Sequence, residues 1–258
     1  MKHFTLLGFL LILMPATVLH SEPIALGDGE KLEYRVAWGI FSNAGEITVA
    51  ASTEKIFGEA RTDTRVLTNI ATSGLVRKLY TLEVKGNSLF DGRDGRILKT
   101  EATSIEGKKR THTKAVFDYD NSIMRFENFI RPEKSATLPL PATNTMDLIT
   151  ALVQTRAWDM KPGDKRPLMA IFEDQLYDLV VTAVGYEKVK APWGTVNTLV
   201  LVPEPTPGTE LKGMFKKGGS VRVWISQDER RLPVKLQIGL PYGTATANLV
   251  KHTPPAKG

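Results

Sequence analysis

Four histidines are available for acid–base or metal chemistry in this 258-residue chain. His3 and His20 fall in an N-terminal segment that reads as an export signal, which leaves His112 and His252. A Ser–His–Asp hydrolase would have to use one of these as its base. No Gly-x-Ser-x-Gly turn presents a poised serine to either. Cysteine is absent, which removes disulfides, zinc–thiolate sites and cysteine nucleophiles together. Two isolated histidines without cysteine make a poor transition-metal ligand set. Neither a Walker-type loop nor Gly-x-Gly-x-x-Gly after a strand is present to cradle phosphates. A carboxylate pair for glycoside hydrolysis need not be close in sequence. The 28 Asp and Glu residues therefore neither support nor remove a polysaccharide hydrolase. The sequence implies no cofactor and no bound metal.

Binding is better represented than catalysis. Lys108, Arg110, His112 and Lys114 recur with period two, which puts all four on one face of a strand. Thr111, Thr113, Ala115 and Phe117 then occupy the other face. Such a stripe could meet an anionic ligand or headgroup, or it could be a solvated outer face whose lysines discourage edge pairing. Leu211, Met214 and Phe215 stand among Lys212, Lys216 and Lys217. Apolar tips beside lysines can dip into a membrane surface or touch a partner; they can equally fold onto the rim of a sheet. Trp38, Ile40 and Phe41 precede Asn43-Ala44-Gly45 and could sit at the mouth of a cavity or at a plain core end.

The elements that would position these residues are strands. Leu32, Tyr34, Val36, Trp38 and Ile40 alternate with Lys31, Glu33, Arg35 and Ala37, the mark of a half-buried strand. Ile47, Val49 and Ala51 continue the pattern, as do Tyr80, Leu82 and Val84, then Val221, Val223 and Ile225, then Val234, Leu236, Ile238 and Leu240. Turn signals separate the runs at roughly ten-residue spacing, as all-β folds require. Asp91-Gly92 and Asp94-Gly95 predict a hairpin between strands near 79–90 and 96–105. Asp120-Asn121 predicts another between 110–119 and 123–130. Pro192-Trp193-Gly194, Lys217-Gly218-Gly219 and Pro241-Tyr242-Gly243 mark further turns.

One segment breaks the β pattern. Residues 132–142 carry three prolines and read as an extended connector. Asn144 can then cap a helix over 145–157, with Asp147 in its first turn. Leu148, Ile149, Leu152 and Val153 form an apolar stripe at helical spacing, leaving Thr150 on its flank. Pro162-Gly163 ends it. A shorter helix is predicted over 73–79. The expected architecture is mainly β: a large curved antiparallel sheet, or half-closed barrel-like fold, with one central helix. It spans 22–252 as a single domain, or as lobes 22–131 and 143–252 on either side of the connector. Residues 253–258 are expected to form a flexible tail.

The N-terminus sets the expected compartment. Lys2 supplies a positive start, residues 4–13 are apolar except for Thr5 and Gly8, and Ser21 precedes Glu22. That is the layout of a secretory signal peptide covering residues 1–21, too short in its apolar run to span a bilayer as a stable helix. Without cysteine there is no site for a lipoprotein acyl anchor. The net charge of +6 is mild and interspersed. It suits anionic headgroups or glycans better than nucleic acid, for which no basic tail or aromatic RNA motif is present.

The order of several short words is also informative. Leu32-Glu33-Tyr34 comes near the mature start. Met146-Asp147-Leu148-Ile149-Thr150-Ala151-Leu152 leads to Lys161-Pro162-Gly163-Asp164. Gly194-Thr195-Val196-Asn197-Thr198-Leu199-Val200 follows, then Gly213-Met214-Phe215-Lys216, Val223-Trp224-Ile225-Ser226 and Arg230-Arg231-Leu232-Pro233-Val234. This series resembles a bacterial family known only as a domain of unknown function, whose members are exported β-rich proteins of the Gram-negative envelope. The resemblance implies a periplasmic location and a β architecture, and carries over no catalytic residues. The expected function is non-enzymatic: binding or carrying an amphipathic envelope component such as a lipid, glycolipid or lipoprotein. The alternatives are an envelope scaffold or assembly partner, and a carboxylate-dependent polysaccharide hydrolase. Oligomeric state is left open.

Overall fold

The structure is a computed structural model describing residues 22–56, 61–141, 145–172, 174–211, 213–216, 218–240 and 243–256. The expected signal segment, the proposed cap Asn144, Lys212, Lys217 and the turn residues Pro241 and Tyr242 lie outside the described residues.

The N-terminal run of strands is β1 (Lys31–Trp38), β2 (Phe41–Lys55), β3 (Thr62–Thr72), β4 (Leu82–Phe90), β5 (Ile97–Glu106), β6 (Lys109–Asp118), β7 (Ile123–Asn128) and β8 (Ala136–Pro139). The C-terminal run is β9 (Thr145–Asp147), β10 (Lys165–Phe172), β11 (Gln175–Ala191), β12 (Gly194–Pro205), β13 (Ser220–Ser226), β14 (Pro233–Leu240) and β15 (Gly243–Thr253). Helices α1 (Gly74–Leu79), α2 (Leu148–Gln154) and α3 (Gly213–Lys216) interrupt them. All the strands belong to one 15-stranded sheet, ordered β8-β7-β6-β5-β4-β3-β2-β1-β15-β14-β13-β12-β11-β10-β9. Pairing is antiparallel except for β9 beside β10. The two runs join where β1 pairs with β15, Leu32 opposite His252 and Val36 opposite Ala247.

Several connections are tight hairpins, because the turn residues permit them. Gly107 takes φ +59° in the two-residue turn Gly107-Lys108, a backbone that hairpin turns of this length require and side chains resist. Lys108 therefore lies on the turn, not in the strand. Gly95 has φ +69°, and a Cβ there would overlap the Glu22 carbonyl oxygen. A twisted sheet this wide curls. Its edge strand β9 approaches β5, which already has hydrogen-bonded neighbours on both sides. The sheet therefore overlaps itself instead of closing edge to edge, as expected for a half-closed barrel.

The central helix is present but differs from expectation. Residues 145–147 are extended and pair with β10. Asp147 has φ −65° and ψ 154°, and its Oδ1 accepts from the Thr150 N–H at 3.0 Å, so Asp147 is the cap. The helix is not one-sided. Thr150, Ala151, Leu152, Val153 and Gln154 are all buried, because the curled sheet and the N-terminal segment enclose it. Gln154 satisfies its amide by accepting from Ala25 N–H at 2.7 Å and donating to the Pro23 carbonyl at 3.1 Å. The proline-rich connector also gains structure: Pro132–Lys134 is a 3-10 turn and 136–139 form edge strand β8. The C-terminal tail is tied down through residue 256. Thr253 ends β15, Ala256 N–H donates to the Asp28 carbonyl at 2.7 Å, and Pro255 covers Gly27.

Candidate functional site

Alternation fixes which side chains face the concave interior, and burial then divides that interior into two ends. On β1, Leu32 and Tyr34 are fully buried while Val36 and Trp38, further along, are half-buried. On β3, Val66 and Thr68 give way to half-buried Ile70 and Thr72. On β4, read from Phe90 and Ser88 back to Gly86, Val84 and Leu82, the same gradient appears. On β15, Leu249 and Ala247 are buried and Ala245 is not. These strands, with β6 and β14, lose cover toward the rim that holds the β1–β2, β3–β4, β5–β6, β7–β8, β10–β11, β12–β13 and β14–β15 connections, whereas Asn128 on β7 and Val221 on β13 stay buried beside it. In an antiparallel meander these turns must share one rim.

The reason lies in side-chain volume. Near the open rim the inward positions of β4 to β6 are small or hydroxylated: Gly86, Ala102, Ser104, Thr111. They cannot reach across to Val36, Ile238 and Ala245 on the other wall. These residues border a partly uncovered stretch of the inner face, a shallow vestibule with hydroxyls on β4 to β6 and apolar side chains on β1, β14 and β15. Ser88 Oγ donates to Thr100 Oγ1 at 3.1 Å, and the Ser104 and Thr111 hydroxyls lie 2.6 Å apart. At the lip, Lys109 and Glu106 pair at 4.0 Å. Near the end of β11, Tyr177, Leu179, Pro205 and Phe215 line a cleft of about 200 Å³.

The opposite end is sealed. The C-terminal end of helix α2 and the residues after it meet the N-terminal segment there, joined by a buried ion cluster. Glu30 is 3% exposed. Its Oε1 accepts from Arg156 Nη1 at 2.7 Å and lies 2.9 Å from His252 Nε2, and its Oε2 accepts from Gly27 N–H at 3.0 Å. Burial alone would raise the Glu30 carboxyl, but Arg156, the Gly27 amide and His252 together hold it below its ordinary value. Arg231 donates to the carbonyls of Arg156 and Trp158. Tyr34 donates to the Pro233 carbonyl at 3.0 Å.

The structure separates the sequence candidates. Trp38 and Phe41 stand at the vestibule mouth, across the β1–β2 hairpin from each other. The Trp38 indole N–H is buried and meets no acceptor among the described residues. Arg110, His112 and Lys114 lie on the outer face, opposite the vestibule, because Thr113, Ala115 and Phe117 take the inner one. Carboxylates are interleaved with them. His112 lies 2.9 Å from Glu101, and Lys114 lies 3.8 Å from Glu127. His112 also stacks on Phe129, with ring centroids 4.5 Å apart. With Lys108 on the turn, the expected stripe of four is a mixed-charge outer face and cannot line the interior. Phe215 is buried, with its ring 6.3 Å from that of Tyr177. It is thus not an inserting tip, whereas Leu211 and Lys216 are exposed. Met214 and Lys216 share the short helix α3.

Sequence reasoning missed the vestibule and the Glu30–Arg156–His252 cluster. Small inward residues on β4 to β6 were the only signal for the first. The second joins residues 126 and 222 positions apart. Asp63 and Asp91 form the nearest approach to a buried acid pair, both reaching Arg61. Arg93 holds Asp91 down to about 2, so it is ionised and unlike a general acid, which needs a raised value.

An overlapped, half-closed β-barrel with an open apolar rim defines the class: a barrel-like β protein. Residues 33–250 match the model of a family described as protein of unknown function, DUF3108, and the chain belongs to that family. The fold is similar to that of the crystal structure of a beta-barrel-like protein of the DUF1849 family from Brucella abortus. The two are 9% identical with a TM-score of 0.53, covering 90% of this chain and 100% of that one. A structure from Bacteroides fragilis with a YmcC-like fold is 10% identical, with a TM-score of 0.32 over 90% of this chain and 98% of the other. That likeness is too weak to bear on the fold. No curated protein matches the chain. Among the described residues no helix is long and apolar enough to cross a membrane.

Proposed function

We propose that this protein is a non-catalytic binding or carrier protein of the Gram-negative periplasm, taking the apolar part of an amphipath into the vestibule. One observation carries the reading: on β1, β3, β4, β14 and β15, inward-facing side chains that are buried at one end of the sheet become half-exposed toward one rim. A folded chain gains nothing from leaving Val36, Ile70, Val84 and Ile238 partly wet. An acyl chain or a neutral glycolipid would cover them. The uncharged lining suits such a group, and the hydroxyl wall adds donors and acceptors for a sugar or ester. The periplasmic assignment rests on the signal-like segment and the family resemblance.

The test is native mass spectrometry with lipid extraction on protein purified from the periplasm. A co-purifying amphipath is expected for the parent. Ala245→Trp, which fills the vestibule from β15, should abolish it while leaving the fold intact by circular dichroism. A parent without bound amphipath, or a filled variant that retains it, would count against the carrier reading.

A further inference from the structure

Thirteen large apolar side chains are exposed among the described residues, and they are not spread evenly. Ile40, Leu75, Leu79, Tyr80, Phe129, Ile130, Phe172 and Leu211, eight of the thirteen, lie on connections or strand ends of the open rim. At the sealed end Trp193 sits on a connection and Tyr186 on the β11 arm leading to it, among the described residues. Ile40 is 93% exposed at the tip of the β1–β2 turn and Leu79 is 71% exposed. Helix α1 turns Val76 into the protein and leaves Leu75 and Leu79, one turn apart on the same face, in solvent. Arg77 and Lys78 flank that face.

Charge follows the same division. The described connections of the open rim carry Arg77, Lys78, Lys108, Arg131, Lys134 and Lys216 against Glu133, Asp174 and Glu210. The described connections and terminal segments of the sealed end carry seven Lys or Arg against ten Asp or Glu. Apolar tips inside a collar of cations complement an anionic bilayer. The tips enter the boundary between headgroups and chains while lysines and arginines meet the phosphates. A soluble protein partner would have no call on a ring of separate tips raised on five different connections. A planar surface meets them all at once.

We infer that the open rim docks onto the surface of anionic phospholipid membranes, with Ile40, Leu75 and Leu79 as its leading tips. The inference stands apart from the carrier reading, because the rim is exposed whether or not the vestibule is occupied. If both hold, docking places the vestibule mouth against the bilayer, so that an amphipath could pass without crossing water.

The experiment is flotation of the signal-free protein with vesicles of phosphatidylethanolamine and phosphatidylglycerol, compared with phosphatidylcholine alone. The parent should float with the anionic vesicles at low salt. Binding should fall as salt is raised past the range where surface charges are screened. Ile40→Asp with Leu79→Asp should weaken binding at least tenfold without moving the melting temperature, since both side chains are solvent-exposed. Lys78→Gln with Lys108→Gln should weaken it less and flatten the salt dependence. Trp193→Asp at the sealed end should float like the parent. A parent that ignores anionic vesicles, a tip variant that floats as well as the parent, or a Trp193→Asp variant that loses binding equally would each overturn the inference. Flotation reads vesicle docking and native mass spectrometry of the same protein without vesicles reads vestibule occupancy, so the two inferences fail separately.

Discussion

The two ends of one sheet have opposite designs. At the sealed end, turns and termini knit together through Glu30, Arg156, Arg231 and Gln154, and the interior is packed with Leu32, Tyr34, Phe90, Ile97 and Met124. At the open rim β4 to β6 carry Gly86, Ala102, Ser104 and Thr111 on their inner face, Val36, Ile70 and Ile238 on other strands are only half covered, and the connections raise apolar tips into solvent. The strands are continuous from one end to the other, so the difference comes from residue choice at positions two apart. Stability is concentrated where large side chains meet, and exposed apolar surface is concentrated where they do not. Well-packed interiors leave few voids, and a gradient repeated on several strands is the signature of a surface kept open.

Substitutions at the sealed end should have the largest effects. Leu152→Asp and Thr150→Asp each bury a charge within α2, and each should cost about 4 kcal/mol or more. Thermal denaturation should show comparable losses for the two. A mild Thr150→Asp would mean that one side of α2 is wet. Arg156→Met strips Glu30 of its main partner and should cost about 3 kcal/mol, the typical penalty for orphaning a buried charge. Denaturant titration reads it directly.

The same cluster predicts a pH dependence. Glu30 is held below its ordinary value of 4.5 in the folded chain. The unfolded chain therefore takes up its proton first as pH falls. The stabilisation is fully present above the ordinary value and is lost as acid approaches the folded value. The stability difference between the parent and Glu30→Gln should shrink with acidification below about pH 4.5. A difference that stays constant through that range would show that Glu30 contributes no proton-linked stability.

A subtler pair tests the gradient within one strand. Leu236 is 4% exposed, and Ile238, two positions nearer the rim, is only partly covered. Leu236→Ala should cost about 3 kcal/mol and Ile238→Ala about half that. Equal costs would mean that the rim is packed like the sealed end. The smallest effect is expected on the outer face. Arg110→Gln with Lys114→Gln should change stability by less than about 0.5 kcal/mol, because solvated pairs with interleaved carboxylates contribute little. A drop of several degrees in melting temperature would show that the face is covered.

Much of this architecture was legible in residue order. Alternation in 31–38 and 234–238 gives the correct inward faces, and Asp91-Gly92, Asp94-Gly95 and Asp120-Asn121 give correct turns, whereas the turn at Gly107-Lys108 was not read. The central helix was legible from Leu148, Leu152 and Val153, but not its burial. A period of 3.6 reveals an apolar face without saying whether the other face is also covered. The cap shifted to Asp147 because β10 captures residues 145–147 in an extended ladder. The cationic period of 108–114 was real as a pattern. Its partners Glu101 and Glu127 come from β5 and β7, and pairing across strands is invisible until the register is known. The rim was the least legible feature, since its tips lie on connections scattered from residue 40 to residue 211 and only topology gathers them.

The register of β1 against β15 has a further consequence. The ladder that joins the two runs pairs Lys31 with Thr253 and Trp38 with Ala245, spanning almost the whole sequence. Neither run can hide the edge it offers to the other until both are present. Two arms, each able to form hairpins early from local contacts, must wait for the slowest kind of encounter, between segments far apart along the chain. During synthesis, that keeps the sheet unfinished until its last strand arrives. The seam thus acts as a timer, delaying maturation until the whole sheet can be assembled at once.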